Sequence, residues 1–350
     1  MDRFLLYGAT GYVGRATASL AVQRGLRPVL AGRSERVQDL AEELGTEAVV
    51  VEVDDVAGLT AALADLPVVL NCAGPFRRTY RPLFAACLAT GTHYLDITGE
   101  SVVLEAAAAA DAAAKRADVM LLPAVGFDAV PSDCLATHLA RRLPTATRLR
   151  LAVAWEGPAS IAPGTAQTAV ESATHESSRL HRVAGRIVEA PSRPTLDVDF
   201  GSGPLPTVLR TWADIHVAYQ STGIANIDVY LALSPELIRQ QDLVERLRWL
   251  LRFRPLRELI RRQIPTGATA EERAASAAHV WGEVVDDRGN RCVSRIHGPE
   301  AGLVWTSRCS LDVVAHVLAG DAPPGHHTPA TAYGPDLVLE ADGVTRDDVE

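Results

Sequence analysis

Gly8, Gly11 and Gly14 stand three residues apart in the run Gly8-Ala9-Thr10-Gly11-Tyr12-Val13-Gly14, directly after a short apolar segment. This spacing can serve phosphate chemistry. A glycine at position 8 permits a tight turn, one at 11 lets the backbone come close to a ligand, and one at 14 lets a helix pack closely on a strand. If a helix starts at Tyr12, the N–H groups of its first turn lack helical acceptors and attract anionic oxygens. The pattern is G-x-x-G-x-x-G, not the commoner G-x-G-x-x-G, so the spacing alone also suits a ligand-free tight turn. Its place between a first strand and a first helix selects the dinucleotide reading, with Thr10, Tyr12 and Val13 on the same turn.

The end of the second strand then discriminates between cofactors. An acidic side chain there binds the ribose 2′-hydroxyl of NAD. This chain instead has Ala31-Gly32-Arg33-Ser34. Arg33 can hold a 2′-phosphate through charge-assisted bonds, with Ser34 as a further donor, which predicts NADP(H). The plainer alternative is a surface arginine flanking a helix. Asp54 and Asp55 follow the third strand, where either can contact the adenine amine or cap the next helix. Asn71, Ala73, Gly74, Pro75 and Phe76 follow the fourth strand and are expected along the nicotinamide ribose.

The elements that must hold these residues alternate. Apolar runs at residues 3–7, 28–31, 47–53, 68–72, 94–97 and 119–123 are separated by helical patterns. This predicts βαβ units and a doubly wound parallel sheet of Rossmann type. After Gly126 the pattern becomes mixed α+β. Strands are expected at 148–155, 187–188, 212–217, 227–233, 278–286 and 291–296, in a largely antiparallel sheet. Helices are expected at 133–142, 167–179, 235–263 and 311–318. Residues 321–333 read as an ordered loop or lid, and those beyond Gly343 as a loose tail.

Bulk properties narrow the function classes. The formal net charge of −9 argues against broad nucleic-acid binding. Lys115 is the only lysine and lies in an alanine-rich stretch, not a glycine-rich loop. No Tyr-x-x-x-Lys pair exists. The five cysteines form no C-x-x-C pair and no zinc spacing, so no metal is expected, and the thiols read as reduced and cytoplasmic. No apolar run approaches a membrane span, and no signal peptide is read at the N-terminus.

These residues, with Gly91-Thr92-His93-Tyr94-Leu95-Asp96-Ile97-Thr98-Gly99-Glu100, Gly126-Phe127-Asp128-Ala129-Val130-Pro131-Ser132-Asp133 and Thr328-Pro329-Ala330-Thr331-Ala332-Tyr333-Gly334, resemble the saccharopine dehydrogenase-like oxidoreductases, including the trans-acting enoyl reductases of actinobacteria. The resemblance implies a Rossmann domain with an inserted α+β substrate domain, divided as 1–130, 131–304 and a returning segment 305–350. It also implies NADPH-dependent reduction of a polarised C=C or C=N bond. An enoyl or enone substrate of natural-product or acyl type is the first expectation. A saccharopine-type imine substrate, or an NADP(H) sensor without turnover, are the alternatives.

Such a reduction needs a proton donor near the nicotinamide. Tyr80 is the first candidate. Asp96, with His93 and Glu100, is expected around the end of strand five, and Asp128 and Asp133 follow strand six. For each acid a cap or a structural hydrogen bond is the competing reading. His326 and His327 are two further loop candidates. Residues 237–262 carry eight arginines against three acids on an amphipathic pattern. That pattern suits an acidic acyl carrier protein or a membrane surface, or equally a core helix with a solvated basic face. An exposed sheet face in the second domain would favour a homodimer.

Overall fold

The computed structural model describes residues 2–159, 177–234 and 267–350, together with Glu236, Leu250 and Phe253. The chain divides into two units, Met1–Val130 with Leu303–Asp342, and Pro131–Gly302 with Gly343–Glu350.

The first unit opens with regular alternation. Strands β1 (Arg3–Tyr7), β2 (Arg27–Gly32), β3 (Glu47–Val50), β4 (Val68–Asn71), β5 (His93–Asp96) and β6 (Met120–Leu122) alternate with helices α1 (Tyr12–Gln23), α2 (Arg36–Leu44), α3 (Val56–Leu63), α4 (Phe76–Thr90), α5 (Ser101–Ala109) and α6 (Asp111–Arg116). The last two of these helices meet at a break at Ala110. Leu5, Leu6, Leu70, Leu95 and Leu121 are wholly buried on these strands. Each such leucine contributes about 1.5–3 kcal/mol, and burial on both faces is what a parallel sheet demands.

Helix α7 (Val130–Arg142) leads into the second unit, with strands β7 (Ala146–Glu156), β8 (Leu180–Val183), β9 (Arg186–Glu189), β10 (Thr195–Asp199), β11 (Pro204–Leu209), β12 (Asn226–Ala232), β13 (Ala277–Asp286) and β14 (Arg291–Pro299), and helices α8 (Asp214–Thr222) and α9 (Ala270–Ala274). The segment expected as a strand at 212–217 is the start of α8, and its buried residues Ile215, Val217 and Ala218 pack as a helix face. On one side of the sheet Leu135 and Leu139 of α7 press against Gly282. On the other, Val198, Phe200 and Leu209 of the β10–β11 hairpin pack on Ala152, Ala154, Tyr230, Trp281 and Val293. The expected helix at 235–263, with its arginines, and most of that at 167–179 lie outside the described residues.

The chain returns to the first unit through a π-helical turn, Ala301–Trp305, and α10 (Thr306–Leu318). Thr17 of α1 and Ser307 of α10 share a buried hydroxyl pair at 3.0 Å, and Arg24 meets Asp312 at 2.6 Å. Strand β15 (Gly325–His326) then pairs parallel with β6, and helix α11 (Pro329–Tyr333) follows behind a Thr328 capping box. The region read as a loop or lid therefore supplies the seventh strand, in the order β15-β6-β5-β4-β1-β2-β3.

The last residues are not a loose tail. Strand β16 (Thr345–Asp348) pairs antiparallel with β14, so residues 343–350 join the second unit. Asp348 there accepts hydrogen bonds from Ser294 and Arg142. The completed sheet runs β10-β11-β12-β7-β13-β14-β16, with β8 on β12 and β9 on β8. It is mixed, because β12 and β7 are parallel.

Candidate functional site

The sheet order reverses between β1 and β4, and this is where open α/β sheets bind ligands, beyond the carboxyl ends of the strands. Two loops meet there. Gly8 has φ 81°, and a Cβ on it would lie 2.7 Å from the Ala73 nitrogen of the loop after β4. A Cβ on Gly14 would overlap the Gly8 carbonyl oxygen, so only glycine lets α1 start this close to the turn. Gly11 is the N-cap of α1 and no side chain caps the helix. The first-turn amides of Tyr12, Val13 and Gly14 are thus left for an anion, on a turn whose Thr10, Gly11, Tyr12 and Val13 all reach solvent.

One strand over, Arg33 follows β2, is exposed, and makes no ion pair among the described residues. Ser34 Oγ lies 3.4 Å from the Arg36 amide and 3.5 Å from Arg36 Nε. Arg36 escaped the sequence reading. Its signal was a basic residue in the first turn of α2, where the helix dipole disfavours a cation unless an anion shares the place. Asp55 caps α3, accepting from the Gly58 amide at 2.9 Å, and Asp54 is exposed beside it.

The loop after β4 is held by a buried polar network. Asn71 is fully buried; its Oδ1 accepts from the Ala73 amide at 2.9 Å, and its Nδ2 donates to Thr79 Oγ1 and Tyr94 Oη at 3.0 and 3.1 Å. Tyr94 donates onward to Asp96 Oδ2 at 2.7 Å, while Asp96 Oδ1 accepts from the Thr98 and Ala124 amides at 3.0 and 2.9 Å. Glu100 closes the arrangement. Its carboxylate accepts from the Phe76 and Arg77 amides at 2.7 and 3.1 Å, capping α4, which has no cap of its own. Asn71, Asp96 and Ala124 thereby tie together the carboxyl ends of β4, β5 and β6. Ala124 sits at φ 63°, a left-handed conformation that costs about 1–3 kcal/mol for a non-glycine residue and persists where the surroundings dictate it.

The candidate acids separate by environment. Asp96 is wholly buried, and that burial, opposed by its hydrogen bonds, pushes its pKa up to about 6. Asp128 is only partly buried, yet desolvation pushes it also up to about 6. Its carboxylate lies against Gly99, where a Cβ would come within 3.0 Å of Oδ2, so the loops after β5 and β6 meet at this side chain. Asp133 is buried in the first turn of α7. Tyr80 is 3% exposed in the core cluster of the sheet, edge-on to Phe84 at 5.4 Å. His93 stands at the amino end of β5, away from the carboxyl ends, and its Nδ1 accepts from the Met120 amide. His326 lies on the edge strand β15, where burial pushes it down to about 4.

Comparison with known proteins finds relatives of the first unit in sequence and of the whole chain in fold. The saccharopine dehydrogenase NADP binding domain family matches residues 4–122. The trans-acting enoyl reductase of Mycobacterium leprae is 40% identical over 150 residues, 40% of this chain and 35% of that protein. The trans-acting enoyl reductase of Mycobacterium ulcerans is 38% identical over 152 residues, covering 39% and 35%. The match therefore spans about a third of the length of these relatives. Among solved structures, the saccharopine dehydrogenase (L-Glu forming) of Saccharomyces cerevisiae superposes over 100% of both chains with a TM-score of 0.65 at 13% identity, a likeness of fold. Among the described residues no helix is long and apolar enough to cross a membrane. The sequence likeness thus lies in the first unit, where residues 4–122 match the NADP binding domain of the saccharopine dehydrogenases.

Proposed function

We propose that this chain is an NADPH-dependent reductase of a polarised carbon–carbon double bond in an acyl substrate of the enoyl class. The observation that carries the cofactor half is the uncapped start of α1 at the β1/β4 reversal, with arginine and serine where an NAD enzyme has an acid. In this reading the amides of Tyr12, Val13 and Gly14 hold the pyrophosphate, and Arg33, Ser34 and Arg36 hold the 2′-phosphate. The loop Ala73-Gly74-Pro75-Phe76, fixed by Asn71 and Glu100, lies along the nicotinamide ribose. NADPH supplies a hydride when bound.

Hydride addition to an enoyl group leaves negative charge that a proton must quench. Of the acids at the carboxyl ends, Asp96 is sealed from solvent and Glu100 is engaged with two amides. Asp128 reaches solvent and holds its proton up to about pH 6, so we assign it the proton-donating role and Tyr80 a packing role. The enoyl specificity rests on the relatives' names, and an acyl carrier protein as the donor of the acyl group belongs to the same proposal.

The test is steady-state NADPH oxidation with an enoyl thioester, an enone and a cyclic imine. Turnover of the thioester supports the reading; turnover of the imine alone overturns it in favour of C=N reduction; binding of NADPH without any turnover leaves a sensor. Asp128→Asn is expected to lower kcat by about 10²–10⁴-fold. Tyr80→Phe is expected to leave it unchanged, and a comparable loss there would transfer the donor role to Tyr80.

A further inference from the structure

Register in the second unit sets His279 on β13 directly opposite His297 on β14. Their Nδ1 atoms are 2.8 Å apart, with ring centroids at 5.0 Å and planes inclined by 67°. The far nitrogen of each ring faces a carboxylate. His279 Nε2 is 3.2 Å from Glu156 Oε2 on β7, and His297 Nε2 is 3.5 Å from Asp347 Oδ2 on β16.

This chain of carboxylate, imidazole, imidazole and carboxylate has a chemical consequence. A carboxylate at Nε2 favours the tautomer with its proton there, which leaves the Nδ1 lone pair free. With both rings so held, two lone pairs would converge on one point, where an electron-pair acceptor can lie between them. A proton can serve, and so can a metal ion.

The surroundings favour a cation. Glu156, Asp347 and Asp199 are the acids near the pair, against Arg295, whose guanidinium is already 2.9 Å from Asp199 Oδ2. The two imidazole side chains remain 18% and 27% exposed, enough to admit water as further ligands.

We propose that His279 and His297 form a two-imidazole binding site for a divalent first-row transition-metal ion, bridging β13 and β14 with Glu156 and Asp347 as outer hydrogen-bond acceptors. Metal–nitrogen bonds of about 2.0–2.1 Å in tetrahedral geometry put the two nitrogens about 3.4 Å apart. The rings therefore open by roughly 0.6 Å, a small side-chain adjustment. Among the described residues no group of three or more metal-ligating side chains is assembled. The site is therefore exchangeable and water-completed, unlike a closed structural zinc site.

Titration calorimetry of the full chain with ZnCl2, CuCl2 and MgCl2 tests this. One Zn²⁺ and one Cu²⁺ per chain are expected, Cu²⁺ the tighter, with no Mg²⁺ bound. His279→Gln and His297→Gln should each weaken Zn²⁺ at least about 10-fold, and Glu156→Gln by up to a comparable factor. Wild-type protein with no 1:1 Zn²⁺ isotherm, or both histidine variants binding like wild type, overturns the site. Should a variant not fold, histidine side-chain nitrogen NMR of the wild type replaces it: one equivalent of Zn²⁺ must shift the Nδ1 signals of two histidines, and unmoved signals overturn the proposal.

Discussion

At the carboxyl ends of β4 to β6, Asn71, Tyr94 and Asp96 are all wholly buried, and each polar group is answered by a neighbour or a backbone amide. Several ion pairs of the second sheet lie open. Arg142–Asp348, Arg295–Asp199 and Arg179–Glu189 each keep one partner 44–49% exposed. Both regions are dense in hydrogen bonds, but the cost of removing one differs. In the first, a deleted partner strands donors that water cannot reach. In the second, water replaces what is lost. The buried network therefore fixes loop geometry, whereas the open pairs tie strands together with little energy each.

The largest effect is expected at Asp96. Asp96→Ala removes the acceptor of the Tyr94 hydroxyl and of the Thr98 and Ala124 amides. A loss of about 3 kcal/mol in unfolding free energy follows from stranding them, read by urea denaturation. A loss under about 1 kcal/mol would mean that the network is as replaceable as the surface pairs. Asp96 also ties stability to pH. It keeps its proton up to about pH 6 in the fold, but only to about pH 3.9 unfolded. Between those values the native state binds the extra proton, so this contribution is fully present below about pH 4 and is lost as pH rises through about 6, by roughly 2–3 kcal/mol. Asp96→Asn should flatten that part of the wild-type profile, measured as the difference between the two proteins across the window.

Arg33 tests the same contrast at the cofactor. It is exposed, like the open ion pairs of the second sheet, yet a dianionic 2′-phosphate would give it a partner that water does not replace. Arg33→Ala is expected to weaken NADPH by about 10–100-fold, equivalent to about 1.5–3 kcal/mol, with NADH affinity unchanged. Equal loss of both cofactors would move its role to the shared pyrophosphate. Arg36→Ala should show the same selectivity at smaller amplitude.

What could be read from the sequence follows this division. The alternating half was legible because each strand is a continuous apolar run and the glycine turn is local, its spacing set by backbone contacts that recur wherever the fold does. Strands β15 and β16 were not. The first is two residues long and exists through backbone pairing with β6. The second, Thr-Arg-Asp-Asp, is polar throughout and is held by groups over 50 residues distant in sequence, such as Ser294 and Arg142. The strand at 187–188 was legible as part of β9, but the short strands β8, β10 and β11 are half exposed, which erases the apolar signature. At the site, Asp96 and Asp128 are the same residue type, one at the end of β5 and the other on the segment after β6. Only tertiary packing, which seals one and leaves the other partly buried, separates a structural acceptor from a candidate acid.

Asp348 gives the smallest expected effect and the sharpest test of the open region. Its Oδ1 accepts from Ser294 Oγ at 2.7 Å, Arg142 Nη1 at 3.1 Å and His138 Nε2 at 2.8 Å, and the side chain remains 48% exposed. Asp348→Asn keeps an acceptor for the serine and removes the charge. Since exposed ion pairs contribute about 0–1 kcal/mol, the loss should fall within that range. It should also shrink as ionic strength rises, because salt screens the wild-type pair and has nothing to screen in the variant. Chemical denaturation of both proteins in urea at low and high salt reads both quantities. A loss near that of Asp96→Ala, insensitive to salt, would show that β16 closes the sheet through a pair as shielded as the buried network, and the contrast between the two regions would fall.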